Sequence, residues 1–178
     1  MTNVITTNPI YVEAATIGVI MTTPLWIKKI VLVPNAHSDT ATLKYWIDYP
    51  GVERVHKKSQ AVATDANTLT SVGNFLAAST AATDVIHIYE ADLAANIGTW
   101  EIATVVSDDA IDVLPGTFTV DASGVYSWKT YASYPLATMK SQATSSLGYE
   151  LNFGGKGLYV PNLMVTAMST SAVLYIYL

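Results

Sequence analysis

Apolar and polar residues alternate with a period of two through most of this 178-residue chain, in short runs separated by Gly, Pro, Asn, Asp and Ser. Successive side chains of a β-strand point to opposite faces, so this alternation is typical of many short strands. The period of about 3.6 residues that marks an amphipathic helix is almost absent. The sequence therefore predicts an all-β fold.

The strands nearest the two ends of the chain are bounded by turn residues. One strand is predicted over Leu25–Val33 and a second over Ala41–Asp48, and we expect these two to be neighbours joined by the loop between them. Near the other end, a glycine turn separates the predicted strands Tyr149–Phe153 and Leu158–Val160. A further pair of strands closes the chain, over Leu163–Met168 and Ala172–Leu178.

The last predicted strand is apolar on both faces. Such a strand is seldom an exposed edge, because its free backbone groups would pair with other chains. We therefore expect it to lie inside a sheet or against a neighbouring chain. Its final residues are the predicted interface: Leu174, Tyr175, Ile176, Tyr177 and Leu178.

The middle of the chain has a different composition. Ala, Thr, Ser and Asn dominate between His56 and Thr80, and a compact series of short strands follows from Val85 to Tyr131. Closely spaced short strands are the pattern of a small barrel. Residues 58–131 are thus predicted to be a barrel inserted into an outer β-sandwich made by residues 1–57 and 132–178.

The balance of residue types favours association with other chains. The chain is 51% hydrophobic and only 13% charged, whereas soluble domains usually carry roughly 25% charged residues. Part of the surface should then be covered by partners, and a homo-oligomer is the default expectation. The best apolar run, Ala14–Ile27, is interrupted by polar residues and Pro24, and the N-terminus lacks a secretion-signal pattern. We therefore expect a soluble chain made in the cytoplasm, with no membrane partner.

Several classes of site are disfavoured by what the chain contains. It has no cysteine, which excludes disulfides and thiolate metal sites. Its net charge of −5 argues against nucleic-acid binding, and the locally basic stretches Lys28-Lys29 and Arg54–Lys58 are short. His37, Ser38 and Asp39 are the residue types of a hydrolase triad, but three consecutive residues are unsuited to that geometry and are expected to form a polar turn. His87 is expected to be an ordinary strand residue, and His56 a solvated one.

Two further motifs are interpreted as turns. Asp108-Asp109 lacks the surrounding pattern of a calcium loop, and aspartate favours turns through hydrogen bonds to the backbone. Gly154-Gly155-Lys156-Gly157 is followed by a strand, whereas a phosphate-binding loop precedes a helix. No catalytic residue, cofactor or metal ligand is predicted.

Large aromatic residues could form a sugar platform or an interface, since both use rigid faces with polar tips. Alternation places most of them in the core, and we expect two or three to contact another chain. The seven considered are Trp26, Tyr45, Trp46, Trp100, Tyr126, Trp128 and Tyr131.

Two stretches carry a resemblance to known proteins. In Phe153–Leu178 a glycine turn leads to a strand, and a final strand alternates Tyr with aliphatic residues; this resembles the closing strands of β-sandwich proteins in the virions of tailed bacteriophages. In Thr83–Tyr89 and Gly98–Val105 an aspartate precedes a strand, and a Gly-x-aromatic-x-Ile strand, a turn and Ala110-Ile111 follow. This is similar to the small SH3-like barrel common in phage head and tail proteins.

The resemblance implies a jelly-roll-like sandwich with an inserted SH3-like barrel. It also implies a non-enzymatic virion protein, namely a capsid decoration, cementing or minor head protein that binds the major capsid protein or other virion proteins. Such a protein is made in the host cytoplasm and located in the virion. The alternative is a carbohydrate- or receptor-binding β-sandwich of a phage fibre or tail. An enzyme of β-sandwich fold is a third possibility, for which no nucleophile, base or metal cluster stands at a usable spacing.

Overall fold

The computed structural model describes residues 8–13, 18–75, 79–114, 118–142 and 148–178. Strands make up nearly all of the regular structure in these ranges, which confirms the all-β fold. The helical element found there is the 3-10 turn Ala94–Asn96, and none of the described residues form a helix able to span a bilayer. In chain order the strands are β1 Ile10–Glu13, β2 Gly18–Met21, β3 Leu25–Ile27, β4 Lys29–Val33, β5 Thr40–Trp46, β6 Val55–Thr64, β7 Thr68–Thr70, β8 Val85–Ala91, β9 Gly98–Ser107, β10 Ala110–Leu114, β11 Asp121–Tyr131, β12 Ser133–Lys140, β13 Tyr149–Asn152, β14 Leu158–Val160, β15 Leu163–Met168 and β16 Val173–Tyr177.

The chain divides into two compact units, each with its own core. The sandwich unit consists of Met1–Tyr45 and Tyr134–Leu178, and the barrel unit consists of Trp46–Ser133. The barrel unit therefore begins earlier than the predicted insertion at residue 58. Strand β6 crosses that predicted boundary and, in the part of the chain that the structure describes, pairs with the barrel strands β7 and β11.

The sandwich unit is built from two four-stranded sheets and a two-stranded ribbon. The sheets have the strand orders β1-β16-β4-β13 and β12-β5-β15-β2, and the ribbon pairs β14 with β3. Alternate residues of both sheets form one buried core, because each strand turns one face inward. Fully buried members of this core include Ile10, Val12, Ile30, Leu32, Ala41, Leu43, Leu163, Val165, Leu174 and Ile176.

The last strand lies inside a sheet, as the sequence predicts. Ile176 is opposite Ile10 of β1 on one side and Ile30 of β4 on the other. The chain end is held by Asn8, whose side-chain Nδ2 donates to the Leu178 carbonyl at 2.9 Å and whose Oδ1 accepts from the Leu178 N–H at 3.0 Å. The backbone groups of β16 are thus paired within the chain.

One predicted strand and one predicted pairing are wrong. The run predicted as one strand over Leu25–Val33 is divided at Lys28 into β3 and β4, which pair in different sheets. Strand β4 is not a neighbour of β5, because the two strands lie in different sheets of the sandwich. A short connection can join neighbours in one sheet or cross to the opposite sheet, and both leave the same alternation in the sequence.

The barrel unit is a closed barrel of six strands in the order β10-β7-β6-β11-β8-β9. Its centre is filled by large side chains, and the rings of Phe75 and Trp128 stack with centroids 5.7 Å apart. Closure leaves the barrel without an unpaired edge, which explains how short strands form a stable unit. Fully buried residues of this core include Leu69, Phe75, Ile86, Ile88, Ile102, Ile111, Tyr126 and Trp128.

The turn between β13 and β14 provides a pair of matched glycine substitutions. Gly157 has φ +74°, and an added Cβ would lie 2.9 Å from the Ile27 carbonyl oxygen, whereas an added Cβ at Gly155 would meet nothing within 4 Å. Gly157→Ala is expected to lower the free energy of unfolding by about 1–3 kcal/mol, since alanine is strained at a positive φ and the added methyl group would crowd the Ile27 carbonyl oxygen. Gly155→Ala should change it little. Urea unfolding of both variants tests this, and equal midpoints would contradict it.

The connection between the units suggests that the sandwich can fold without the barrel. Strands β5 and β12 are neighbours in one sheet, and the rings of Tyr45 and Tyr134 have centroids 5.4 Å apart. The chain therefore leaves and re-enters the sandwich at adjacent points, where insertions are tolerated. Replacing residues 47–132 with a short Gly/Ser linker is expected to leave a folded sandwich with β-type circular dichroism and dispersed amide resonances. A disordered product would show that the sandwich depends on the barrel.

Candidate functional site

The outer face of the sheet β1-β16-β4-β13 is unusually apolar. Residues that alternate with the buried ones point away from the core, and on a solvated sheet these positions would be mainly polar. Here they include three tyrosines and three valines. We call this surface the tyrosine face, defined by Tyr11, Glu13, Lys29, Val31, Val33, Glu150, Asn152, Val173, Tyr175 and Tyr177.

The centre of the tyrosine face is a cross-strand row. Tyr175 of β16 is opposite Tyr11 on one side and Val31 on the other. The rings of Tyr11 and Tyr175 meet edge to face, with centroids 5.4 Å apart and planes at 62°. Such aromatic pairs add to the stability of a sheet face and hold both rings in fixed positions. Tyr175 therefore presents a rigid ring between two neighbours.

Three residues on the tyrosine face are charged, and each is engaged with a neighbour on the face. Lys29 Nζ lies 4.6 Å from the centroid of the Tyr177 ring and 3.7 Å from Glu150 Oε2. Tyr11 donates a hydrogen bond to Glu13 Oε1 at 2.5 Å, and this bond, with burial, raises the pKa of Tyr11 to about 12. The phenol thus stays protonated at ordinary pH. The face combines apolar area with polar tips, a composition typical of protein interfaces.

The five predicted interface residues divide between the two sides of β16. Leu174 and Ile176 are fully buried in the sandwich core, so they cannot contact another chain in this fold. Tyr175 and Tyr177 lie on the tyrosine face, and Leu178 is partly buried at the chain end. Contact of Tyr175, Tyr177 and Leu178 with a partner stays a prediction.

Most of the seven aromatic residues considered from the sequence lie in the interior, as predicted. The exception with the largest exposure is Trp26, at 57%, which is opposite Tyr159 in the ribbon β3-β14. Their rings have centroids 5.3 Å apart and planes at 61°, and Tyr159 is 50% exposed. This aromatic pair is the second surface feature of the sandwich unit.

The motifs interpreted as turns form turns. Asp39 accepts hydrogen bonds from the backbone N–H groups of Asn35 and Ala36, both at 2.9 Å, and the bond from Ala36 is the main reason that its pKa is lowered. Asp109 accepts from the Gly73 N–H at 2.6 Å. Gly157 N–H donates to the Gly154 carbonyl at 3.1 Å. Among the described residues, no group of three His, Asp or Glu side chains is arranged to hold a metal ion.

Two histidines that lie in separate strands, far apart in the sequence, are close together on the outside of the barrel. His56 of β6 and His87 of β8 are both opposite Lys129 of β11, one on each side. They line a cleft of about 340 Å³ that we call the barrel cleft. Its lining side chains are Asp48, His56, Lys58, His87, Tyr89, Lys129 and Tyr131. Sequence reasoning missed this cluster, because the residues converge only through the strand register.

An acid-sensitive contact borders the barrel cleft. Glu53 accepts from the Gly51 N–H at 2.6 Å and lies 3.1 Å from Lys129 Nζ. The hydrogen bond from its own backbone N–H, then those from Lys129 and Gly51, lower the pKa of Glu53 from 4.5 to about 2. Because the folded-state pKa is the lower one, the carboxylate stabilises the fold above pH 4.5, and this contribution is lost as the pH falls toward about 2.

The matched variant Glu53→Gln isolates this effect. Wild type is expected to melt at a higher temperature than Glu53→Gln at about pH 6, and the difference should shrink several-fold at about pH 2, where about half of the wild-type carboxyl is protonated in the folded state. Thermal unfolding of both proteins at the two pH values measures the difference. A difference that stays constant between them would show that the carboxylate form of Glu53 contributes nothing.

Comparisons with known proteins do not assign the chain to a family. No protein-family model, curated protein or solved structure matches it. The features that bear on its function are the tyrosine face, the aromatic pair of the ribbon and the barrel cleft.

Proposed function

We propose that the chain is a non-enzymatic structural protein of a tailed-bacteriophage virion. In this proposal it is a capsid decoration, cementing or minor head protein, and its partner is the major capsid protein or another component of the assembled shell. The observation that carries the proposal is the tyrosine face. A sheet face of this composition is suited to being covered by a partner rather than by water.

Tyr175 is the residue we expect to matter most in the docked state. Binding energy at interfaces concentrates in a few aromatic or arginine side chains near the centre of the contact, surrounded by residues that exclude water. Tyr175 has Tyr11 on one side and Val31 on the other. The ring is already held by its neighbours, so docking would order little additional side-chain freedom.

The overall balance of charges supports the same proposal. Only 13% of the residues are charged, about half of the usual fraction. A protein that stays bound to a shell, with many copies side by side, needs less charged surface than a freely diffusing protein. Association of the free chain with itself is a separate expectation, which sedimentation at several concentrations measures.

The proposal is tested by binding to particles that lack the chain. Wild type should bind them saturably, and Tyr175→Lys should weaken binding by at least about tenfold, since a charge would be placed at the centre of the contact. Tyr159→Lys is the matched control, because Tyr159 is an exposed tyrosine outside the tyrosine face. It should bind within about twofold of wild type. Circular dichroism confirms that each variant is folded.

Two results would contradict the proposal. Wild type that fails to bind the particles at any concentration would remove the virion assignment. Equal binding by Tyr175→Lys and wild type would leave the virion assignment but show that the tyrosine face does not dock.

The carbohydrate- or receptor-binding alternative is favoured by the Trp26–Tyr159 pair. Exposed aromatic rings are a common feature of sugar-binding surfaces because their faces pack against apolar sugar C–H groups. The two planes are tilted by 61°, so they do not form one flat platform. If this alternative holds, a polysaccharide panel will show affinity that Trp26→Ala abolishes and Tyr175→Lys leaves intact.

A further inference from the structure

The barrel cleft contains a concentration of hydrogen-bond donors that the proposed docking role does not use. Two of the three histidines in the chain line it, together with two lysines and two tyrosines. The chain as a whole is acidic, with 14 Asp and Glu against 9 Lys and Arg. Asp48 is the one acidic side chain among the residues that line the cleft. Donors and positive charge are therefore gathered at a single place on an acidic protein.

Strand register fixes the position of these donors. Lys129 stands at the centre of a row, with His56 opposite it on β6 and His87 opposite it on β8. His56 Nε2 is hydrogen-bonded to the Tyr89 hydroxyl at 2.9 Å, and His87 Nδ1 to Thr99 Oγ1 at 2.9 Å. Each contact orients its ring through one nitrogen. A ring held in this way can direct its other nitrogen toward a ligand.

A buried hydroxyl borders the same cleft. The Tyr131 side chain is almost completely buried, and its hydroxyl is closed off from solvent. Burial raises the pKa of Tyr131, and a hydrogen bond to the Asp48 carboxylate raises it further, so the phenol keeps its proton. Tyr131 and Asp48 therefore engage each other, which leaves the lysines and histidines of the cleft to meet a ligand.

The charges that face the cleft favour an anion over a metal cation. Lys58 is exposed and has no acidic partner within ion-pair distance among the described residues, whereas Lys129 is shared with Glu53 at 3.1 Å. An ammonium group offers three N–H donors, so Lys129 can contact Glu53 and a ligand together. The cleft volume of about 340 Å³ lies near the lower end of small-molecule sites, which span about 300–1,000 Å³. It has room for more than a bare ion.

We propose that the barrel cleft binds a tetrahedral oxyanion, as a phosphate or sulfate group, with Lys58 and Lys129 supplying charge and His56 and His87 supplying hydrogen bonds. The group could be a free ion or an ester on a sugar-sized molecule. Charge-assisted hydrogen bonds to oxyanions are stronger than neutral ones, and several converging donors hold one group firmly. The site lies wholly within the barrel unit and does not depend on docking through the tyrosine face.

The test is a titration of the full-length chain followed by the ring C–H resonances of its three histidines. The probes are inorganic phosphate, inorganic sulfate, glucose 6-phosphate and glucose, at fixed pH and with ionic strength matched by sodium chloride because salt screens exposed charges. The signals of His56 and His87 are expected to shift saturably with the three anions and not with glucose. His37 belongs to the sandwich unit and is the internal control. Tighter binding of glucose 6-phosphate than of inorganic phosphate would identify an ester as the preferred source of the group.

Matched charge variants complete the test. Lys58→Gln should weaken phosphate binding by at least about tenfold, and Lys156→Gln, which removes one exposed charge from the turn of the sandwich unit, should leave it within about twofold. Three results would overturn the proposal: no saturable shift with any anion, equal shifts of His37 and the two cleft histidines, or equal losses in the two lysine variants. The last would mean that phosphate responds to net charge alone.

Discussion

Removal of Leu174–Leu178 is expected to unfold the sandwich unit. The deletion takes away most of β16, which separates β1 from β4 and is paired with both. It also removes Leu174 and Ile176 from the core, where both are fully buried. Loss of one large aliphatic side chain from a core costs about 2–5 kcal/mol, and a domain has only about 5–15 kcal/mol of stability in total. The loss of two such side chains together with two strand ladders should exceed what the unit can tolerate.

The expected observation is the disappearance of dispersed amide resonances from the sandwich unit. The double variant Tyr175→Thr/Tyr177→Thr is the control, since it changes the outward face of the same strand and leaves Leu174 and Ile176 in place. It should remain folded, because threonine is well accommodated in strands. A truncated chain that stays folded and still binds particles would show that β16 is dispensable for both fold and docking.

Trp128→Ala is expected to destabilise the barrel unit by about 3–5 kcal/mol, the usual cost of removing a buried tryptophan or phenylalanine ring. Trp128 is fully buried and stacks on Phe75 with ring planes at 23°. Its indole N–H has no hydrogen-bond partner among the described residues. The cost should therefore come from the cavity and the lost packing, with no hydrogen bond lost.

Denaturant unfolding followed by the fluorescence of the remaining tryptophans and by circular dichroism measures this loss. Val72→Ala is the matched control in the same unit, because Val72 is 83% exposed and surface substitutions usually change stability by no more than about 0.5 kcal/mol. A Trp128→Ala variant as stable as Val72→Ala would mean that the barrel core collapses around the cavity or is not packed as described.

The sequence carried enough information for the class of fold and for the inward face of most strands. Alternation identifies Leu174 and Ile176 as one face of a strand, whichever sheet that strand enters. Alternation does not indicate which strands pair with each other. The buried residues are Leu25 and Ile27 before Lys28 but Ile30 and Leu32 after it, so the alternation changes phase at Lys28. This change indicates a break in the strand, but nothing local indicates that β3 joins a ribbon while β4 joins a sheet. Partner choice depends on contacts far along the chain.

The barrel cleft could not be derived from the sequence for a related reason. His56, His87 and Lys129 come from three strands, and their alignment requires both register and bulges. Strand β11 has an irregularity between Ser127 and Trp128 in its pairing with β8, which decides that Lys129 is opposite His87. Bulges of this kind follow from local twist and closure of the barrel rather than from a residue pattern. The tyrosine face could be predicted in part, since the alternation of Tyr175 and Tyr177 with apolar residues is visible in the sequence.

We propose that this chain is a component of a viral shell and docks through the tyrosine face, and electron cryo-microscopy of native particles purified from the source of the chain is the direct test. We expect density for the sandwich unit on the outside of the shell, with Tyr11, Tyr175 and Val31 against a neighbouring virion protein. Particles that contain no copy of the chain, or bound copies whose tyrosine face is turned toward solvent, would contradict this proposal.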